Sequence, residues 1–278
     1  IGSMTRPFIS LTTDFGLRDP YAGICRGVIA SIAPDAIVVD LSHEVAQFAI
    51  RDGALVLWSA LPYLPVGVHV AVVDPGVGTE RRPIGVRAGR GDVLVGPDNG
   101  LLLPALDRLG GLAEARLLGN RDLWRETVSA SFHGRDIFSP VAAHIAAGTP
   151  FESVGPTIDP GSLVRLALPP VEARDGGVET GVVYIDTFGN VKLSALAADL
   201  VAALGPLDAG DALAIEIRDA SRARRIELPW ATTFGDRGVG EPLVYEDAYG
   251  RACIAVNRGS AADVLGLVED VPVVVRRR

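Results

Sequence analysis

The chain is expected to fold as an α/β protein, with an N-terminal doubly wound α/β domain followed by a smaller C-terminal β-barrel-like domain. Three observations carry this expectation. In the first part, short apolar runs alternate with segments whose apolar residues recur at helical spacing. Near the middle, Pro169-Pro170 and Gly176-Gly177 bracket a short charged segment of linker composition. Beyond it, strand-like runs follow one another with turns between them and almost no helical spacing. The domains are therefore placed at residues 5–168 and 178–278, joined by a linker at 169–177.

Residues 8–12 read as an apolar strand running into Thr12-Thr13-Asp14-Phe15-Gly16. Residues 21–33 place Ile24, Val28, Ile29 and Ile32 at helical spacing and stop at Pro34. Residues 36–41 read as a second strand. Residues 45–61, entered near Phe48 and ended by Pro62, read as a second helix. Residues 68–73 form the third strand, and the β-α-β-α-β order predicts a parallel sheet with right-handed crossovers. Strands 84–88 and 93–95 flank Gly89-Arg90-Gly91-Asp92, and a helix over 101–109 is closed by Gly110-Gly111. The last helix of this half, 137–147, follows Ser131-Phe132-His133-Gly134-Arg135-Asp136. In the second half, residues 178–186, 213–217, 224–228, 243–245, 253–256 and 271–275 read as strands and 195–200 as a helix.

Composition bounds the function. At 278 residues, with 48% hydrophobic and 22% charged residues, the chain can build a substantial core. A net charge of −8 argues against nucleic acid, whose phosphates require clustered cations. Among the cationic side chains only Lys192 is a lysine, a coding bias from which no function is read. Cys25 and Cys253 lack CxxC spacing, so neither a zinc site nor a disulfide framework is expected. No apolar run reaches membrane-spanning length and no signal peptide is read, so a soluble cytoplasmic protein is expected. Residues 1–3, ahead of Met4, read as an expression remnant.

Polar groups gather at strand ends, where open α/β sheets collect ligands. Asp74 ends the third strand and Pro75, Gly76 and Gly78 force a turn that can bring Arg81 back toward it. Taken alone, this is equally a loop carboxylate with a surface ion pair. His133 precedes a helix and reads either as a functional group or as a capping-loop residue. His69 and His144 read as packing or surface residues, and His43 is open. Asp186-Thr187-Phe188-Gly189-Asn190 offers an aromatic face beside two hydrogen-bonding side chains, or an ordinary turn. No cluster has metal-ligand spacing, and GxSxG, GxGxxG and the P-loop are absent. These strand ends suggest a small-molecule site at a domain or subunit interface, without identifying the reaction.

Six motifs in order are more specific: TTDFG at 12–16, DPGVGTERRPI at 74–84, GPDNGLL at 96–102, FHGRDIFSP at 132–140, IDTFGNV at 185–191 and IAVNRGSAA at 254–262. From Phe8 onward the chain resembles the S-adenosyl-L-methionine (SAM) hydrolases, or SAM hydroxide adenosyltransferases, which are related to fluorinase and chlorinase. The resemblance implies hydrolysis of SAM to adenosine and L-methionine by attack of water or hydroxide on ribose C5′. SAM is then the substrate and no cofactor or metal is required. It implies a homotrimer with each site shared between the N-terminal domain of one subunit and the C-terminal domain of the next. Asp74, Arg81 and His133 match the catalytic triad of the hydroxide-using branch, which the halogenating branch lacks. Asp14 matches a carboxylate that accepts from the ribose hydroxyls, and Phe48 an aromatic beside the ribose. Asp186, Phe188 and Asn190 match residues around the methionine head and the base. Phe234 matches an aromatic on the adenine, and Asn257 lies in the adenine-side loop. One departure stands out. Relatives often read Asn-Ser before an aromatic and a glycine; here the run is Asp247-Ala248-Tyr249-Gly250, with Tyr249 the aromatic carried over as substrate-binding. The serine hydroxyl expected near the methionine carboxylate is missing.

Overall fold

The computed structural model describes residues 6–219 and 222–278, and the chain divides into two compact units between Leu166 and Ala167. The first unit contains β1 (Phe8–Thr13), α1 (Tyr21–Ile32), β2 (Ile37–Ser42), α2 (Ile50–Ala60) and β3 (Val68–Val72). It continues through β4 (Pro83–Ala88), β5 (Val93–Pro97), α3 (Leu103–Leu106), β6 (Leu112–Leu117) and α4 (Ser139–Ala146). The six strands form one sheet in the order β2-β1-β3-β5-β4-β6. β1 is parallel to β2 and β3, and β3 to β5, as the βαβ repeat predicts. β4, whose direction the βαβ order leaves open, is antiparallel to β5 and β6. The link between β4 and β5 is only the turn at 89–92, far too short for the crossover that parallel strands need.

Both faces of this sheet are covered, and its central strands β1, β3 and β5 are accordingly buried along their whole length, without alternation. Val70 and Val72 pack with Ile29 of α1 and Val141 of α4 on one side. Ala71 and Val73 pack with Leu57 of α2 and Leu102 on the other. The structure corrects one expectation and adds one strand. The helix read over 101–109 is a single turn, α3. Residues 112–117, which carry no β-branched side chain and read as no strand, become β6 by pairing with β4. Tertiary pairing overrides weak intrinsic propensity there.

His69 lies in the core at 0% exposure. Its Nδ1 is 2.8 Å from Ser10 Oγ on the neighbouring strand and its Nε2 is 3.0 Å from Asp92 Oδ1. Arg90 closes the chain with Nε donating to Asp92 Oδ2 at 2.7 Å and Nη2 to Oδ1 at 2.9 Å. In a neutral imidazole one tautomer satisfies both contacts: Ser10 donates to Nδ1 and the ring donates from Nε2 to the carboxylate. Burial pushes the Asp92 carboxyl up, but the bonds and charges of His69 and Arg90 outweigh it and hold it well below the ordinary carboxylate range.

The second unit comprises β7 (Glu172–Arg174), β8 (Gly177–Ile185), β9 (Val191–Leu196), α5 (Ala197–Leu204), β10 (Ala212–Asp219) and β11 (Arg222–Ala231). β12 (Pro242–Glu246), β13 (Arg251–Val256), α6 (Ala261–Leu265) and β14 (Pro272–Arg277) complete it. Seven strands in the order β14-β10-β11-β12-β13-β9-β8 close into a barrel because β8 pairs back onto β14. β7 adds a short hairpin arm to β8. The interior is filled by side chains that include Val182, Leu193, Ile215, Val244, Ile254 and Val273. β9 corrects the helix read from residue 195. Val191, Leu193 and Ala195 alternate inward along Val-Lys-Leu-Ser-Ala-Leu, and the helix begins only at Ala197. Among the described residues, no helix is long and apolar enough to cross a membrane.

Candidate active site

The chain runs from β1 out to β2 on one side, then back across to β3 on the other. The crevice between the carboxyl ends of β1 and β3 is therefore the point where the strand order reverses, the usual ligand position in an open α/β sheet. Asp14 leaves β1 there and Asp74 follows β3. Both line a cavity of about 450 Å³ together with Phe15, Gln47, Phe48, Phe132 and His133.

The Asp74 carboxylate is gripped on both oxygens by Arg81, with Nε donating to Oδ1 at 3.0 Å and Nη2 to Oδ2. The same Nη2 lies 3.1 Å from His133 Nδ1. The residues expected to cooperate, Asp74, Arg81 and His133, therefore form one contiguous cluster. Gly78 permits it. Its φ is +78° and a Cβ there would sit 2.2 Å from the Ala130 carbonyl oxygen, so this glycine lets the 74–81 loop press against the chain just before His133. From the other side Asp136 accepts from Ser129 N at 2.9 Å and from Arg135 Nε at 2.6 Å, fixing the π-helical turn Gly134–Phe138 that leads from His133 into α4. Arg81 sits behind the cavity rather than on its wall: Asp74 and His133 line it and Arg81 does not. Its Nη1 is buried with no hydrogen-bond partner among the described residues.

A guanidinium can only donate, so His133 Nδ1 must accept and the ring proton resides on Nε2. Burial, then the Arg81 charge, pushes the His133 pKa below its ordinary 6.5. The imidazole is thus neutral, with Nε2–H as its donor. With this form as the working one, kcat/KM is expected to be flat around neutrality and to fall only below pH 6.5, as the ring protonates against the guanidinium. A pH profile of wild type against His133→Gln checks this: the acid limb should vanish in the variant, and a wild-type limb centred above 6.5 would contradict it.

Asp14 Oδ2 accepts from Phe48 N at 3.0 Å and holds Phe48 in a left-handed conformation, φ +65°. That conformation is costly for a bulky residue and leaves Phe48 67% exposed at the cavity. Asp14 is placed by its strand: the preceding Thr13 bonds His43 Nδ1 at 2.8 Å, and the His43 carbonyl accepts from Gly16 N at 2.7 Å. His43 is buried. Its Nε2 lies 3.2 Å from Asp40 Oδ1, outside hydrogen-bonding geometry, so this histidine is a buttress rather than a cavity group. His144 lies on α4.

The barrel unit carries its own cavity, about 710 Å³, lined by Asp186, Phe188, Asn190, Phe234, Tyr249 and Asn257. All six residues expected in this half thus share one wall. Asp186 Oδ1 accepts from Phe188 N and Asn190 N, both at 3.0 Å, which shapes the turn and presents Phe188 at 78% exposure. A Cβ at Gly189 would sit 2.1 Å from Ser260 Oγ, so glycine lets this turn pack on the loop after β13. Asn257 Nδ2 donates to the Arg237 carbonyl at 2.8 Å, tying down the segment that carries Phe234. Phe234 in turn packs on Tyr245, ring centroids 4.9 Å apart. Sequence reasoning missed Lys192, Tyr245 and Asp247 here, and Phe15, Gln47 and Phe132 in the first cavity. For Lys192 a signal existed in its being the sole lysine. Burial pushes its ammonium down, but the bond to Asp247 and the charges of Asp247 and Asp186 outweigh it and raise its pKa above the ordinary value.

Fold and sites together define a two-domain protein of the small-molecule class: an α/β unit with an acid–guanidinium–imidazole cluster at its switch point, and a closed barrel with an aromatic, charged cavity. The chain belongs to the SAM hydroxide adenosyltransferase family: residues 9–155 match its N-terminal domain and residues 180–274 its C-terminal domain. It is 48% identical, over 94% of both chains, to a protein of Salinispora tropica named (R)-S-adenosyl-L-methionine hydrolase. It is 31% identical, over 99% of both chains, to a protein of Actinopolyspora mzabensis named fluorinase. The crystal structure of an uncharacterized conserved protein from Thermotoga maritima superposes with a TM-score of 0.89 at 36% identity, covering 97% of this chain and 100% of that one.

Proposed function

We propose that the protein hydrolyses SAM to adenosine and L-methionine, with water or hydroxide attacking ribose C5′ opposite the sulfonium. The observation that carries this reading is the cluster of Asp74 and His133 on the wall of a nucleoside-sized cavity with Arg81 behind them, in a chain 48% identical to a named SAM hydrolase. Methionine leaves as a neutral thioether, so no general acid is needed. The demand falls on the nucleophile, which must be aligned; positioning of this kind is worth up to about 7–11 kcal/mol in the best intramolecular cases.

The neutral tautomer assigns the roles. His133 donates from Nε2 to the nucleophile's oxygen. Asp74 accepts one of its protons. Arg81 orients both and places a positive charge behind the oxygen, favouring its anionic character. A carboxylate suffices as the acceptor. Attack of water on C5′ makes a protonated alcohol, itself a strong acid, which passes its proton to Asp74 as the C–S bond breaks. In the first cavity Asp14, an acceptor-only group, takes the ribose hydroxyls and Phe48 covers the sugar. The barrel cavity takes the adenine against Phe188 and Phe234 and the amino-acid head near Asp186, Asn190 and Tyr249, with Asn257 holding the adenine-side loop. The reading carries with it a cytoplasmic homotrimer, in which one subunit's α/β cavity is completed by the barrel cavity of the next, and a reaction that consumes water without a cofactor.

Chromatography of the products with SAM, in heavy-oxygen water and with or without chloride, tests the reading. Equal amounts of adenosine and L-methionine are expected, with the label in the adenosine 5′-hydroxyl. 5′-Chloroadenosine as the main product would establish halide transfer instead. Methionine release no faster than spontaneous decay would leave a binding protein.

A further inference from the structure

The barrel cavity holds a charged group for which the reaction as written has no use. Lys192, the chain's only lysine, stands on β9 at the cavity wall with a side chain only 12% exposed. Its Nζ donates to Asp247 Oδ2 at 2.7 Å, lies 3.9 Å from Asp186 Oδ2, and sits 5.4 Å from the Tyr249 ring centroid. The two carboxylates do not need the lysine to hold their places. Asp247 Oδ1 accepts from Tyr249 N and Arg251 N, both at 2.9 Å. Asp186 is held by Phe188 N, Asn190 N and, on Oδ2, Asn190 Nδ2, each at 3.0 Å. An ammonium has three donors and Asp247 takes one of them. Burying so strongly hydrated a point charge is costly, and an uncommitted donor in a cavity calls for an anion.

We infer that Lys192 receives the α-carboxylate of the substrate's amino-acid moiety while Asp186, 3.9 Å from it, receives the α-ammonium, so that the pair reads a zwitterion. This rests on the SAM reading and names what selects one end of the substrate. The two charges of an α-amino acid hang from a single carbon, and the opposite charges of Lys192 and Asp186 stand at a matching separation. The totals also match. Asp186, Asp247 and Lys192 together carry one net negative charge, and the sulfonium, ammonium and carboxylate of SAM carry one net positive charge. Asp247 acts as a positioning residue that holds the ammonium.

The test compares SAM with its decarboxylated analogue in wild type, Lys192→Met and Lys192→Arg, with thermal melts confirming folding. Lys192→Met is expected to lower kcat/KM for SAM by roughly 10- to 100-fold, mainly through KM, as loss of a charge-assisted hydrogen bond does. The wild-type preference for SAM over the analogue should collapse toward unity in that variant, and Lys192→Arg should keep most of it. Equal losses on both substrates, or none on either, would overturn the inference and assign Lys192 to supporting the turn. If wild type turns over neither compound, the SAM reading fails separately. Calorimetry then decides this inference on L-methionine against 3-(methylthio)propylamine: a preference for methionine that Lys192→Met abolishes upholds it, and its absence from wild type, or persistence in the variant, overturns it. Should Lys192→Met not fold, Lys192→Gln takes its place in each arm.

Discussion

Arg81→Met is expected to reduce kcat on SAM by on the order of 100- to 1,000-fold, comparable to the loss of one preorganised hydrogen-bonding group from an active site. The side chain does three things at once. It neutralises a carboxylate whose side chain is 4% exposed, it fixes the tautomer of His133, and it sets a positive charge behind the nucleophile. Losing it leaves Asp74 as a buried unpaired acid and frees His133 Nδ1 to take a proton. The acid limb of the pH profile should then move upward, because one of the two causes that depress the His133 pKa has gone. Arg81→Lys is not expected to rescue. A lysine has one nitrogen and cannot hold both Asp74 oxygens while reaching His133. Single-turnover measurement separates the chemical step from binding, and kcat within a few-fold of wild type in Arg81→Met would remove the cluster from the mechanism.

Asp92→Ala is expected to cost the α/β unit about 3 kcal/mol, toward the low end of what breaking a buried ion pair costs. The two partners fare differently. Arg90 is 28% exposed and recovers water, whereas His69 is 0% exposed and is left with an unpaired Nε2–H. Against a total stability of about 5–15 kcal/mol this is a large fraction. Urea denaturation followed on the transition of this unit checks it, with an unchanged m-value expected and a loss under about 1 kcal/mol refuting it. The pH dependence has a definite sign. The Asp92 carboxyl titrates below its ordinary value in the fold, so its contribution is present above the ordinary carboxylate range and is lost as the pH falls below about 4. Asp92→Asn should lack that loss.

Much of the α/β unit is legible in the sequence because its signals are local. The run from Val68 to Val73, the stop at Pro34 and the glycine turn after Asp74 each reflect chemistry within a few residues. What was not legible depended on partners distant in the chain. Residues 112–117 are a strand because β4 offers an unpaired edge, not because Leu-Ala-Glu-Ala-Arg-Leu favours one. Alternation in residues 191–196 was available, yet the leucines and alanines that follow carry a helical spacing that overlaps it. His69 reads as a packing residue in sequence. That it is a hydrogen-bonded link between Ser10 and Asp92 follows only from the sheet order.

The candidate sites divide the same way. The sequence by itself determined the cast: two carboxylates at strand ends, an arginine and a histidine beside glycines, and aromatic turns in the second half, all in the order its family shares. Residue type and turn chemistry are written in neighbours, so they survive without a fold. Only the tertiary structure decided that Arg81 stands behind Asp74 and His133 rather than on the cavity wall, that His133 carries its proton on Nε2, and that Lys192 is aimed at a pair of acids. Those are matters of direction and distance between strands far apart in the chain. A side chain's charge is fixed by its chemistry, but what that charge faces is settled only when the sheet and the barrel close.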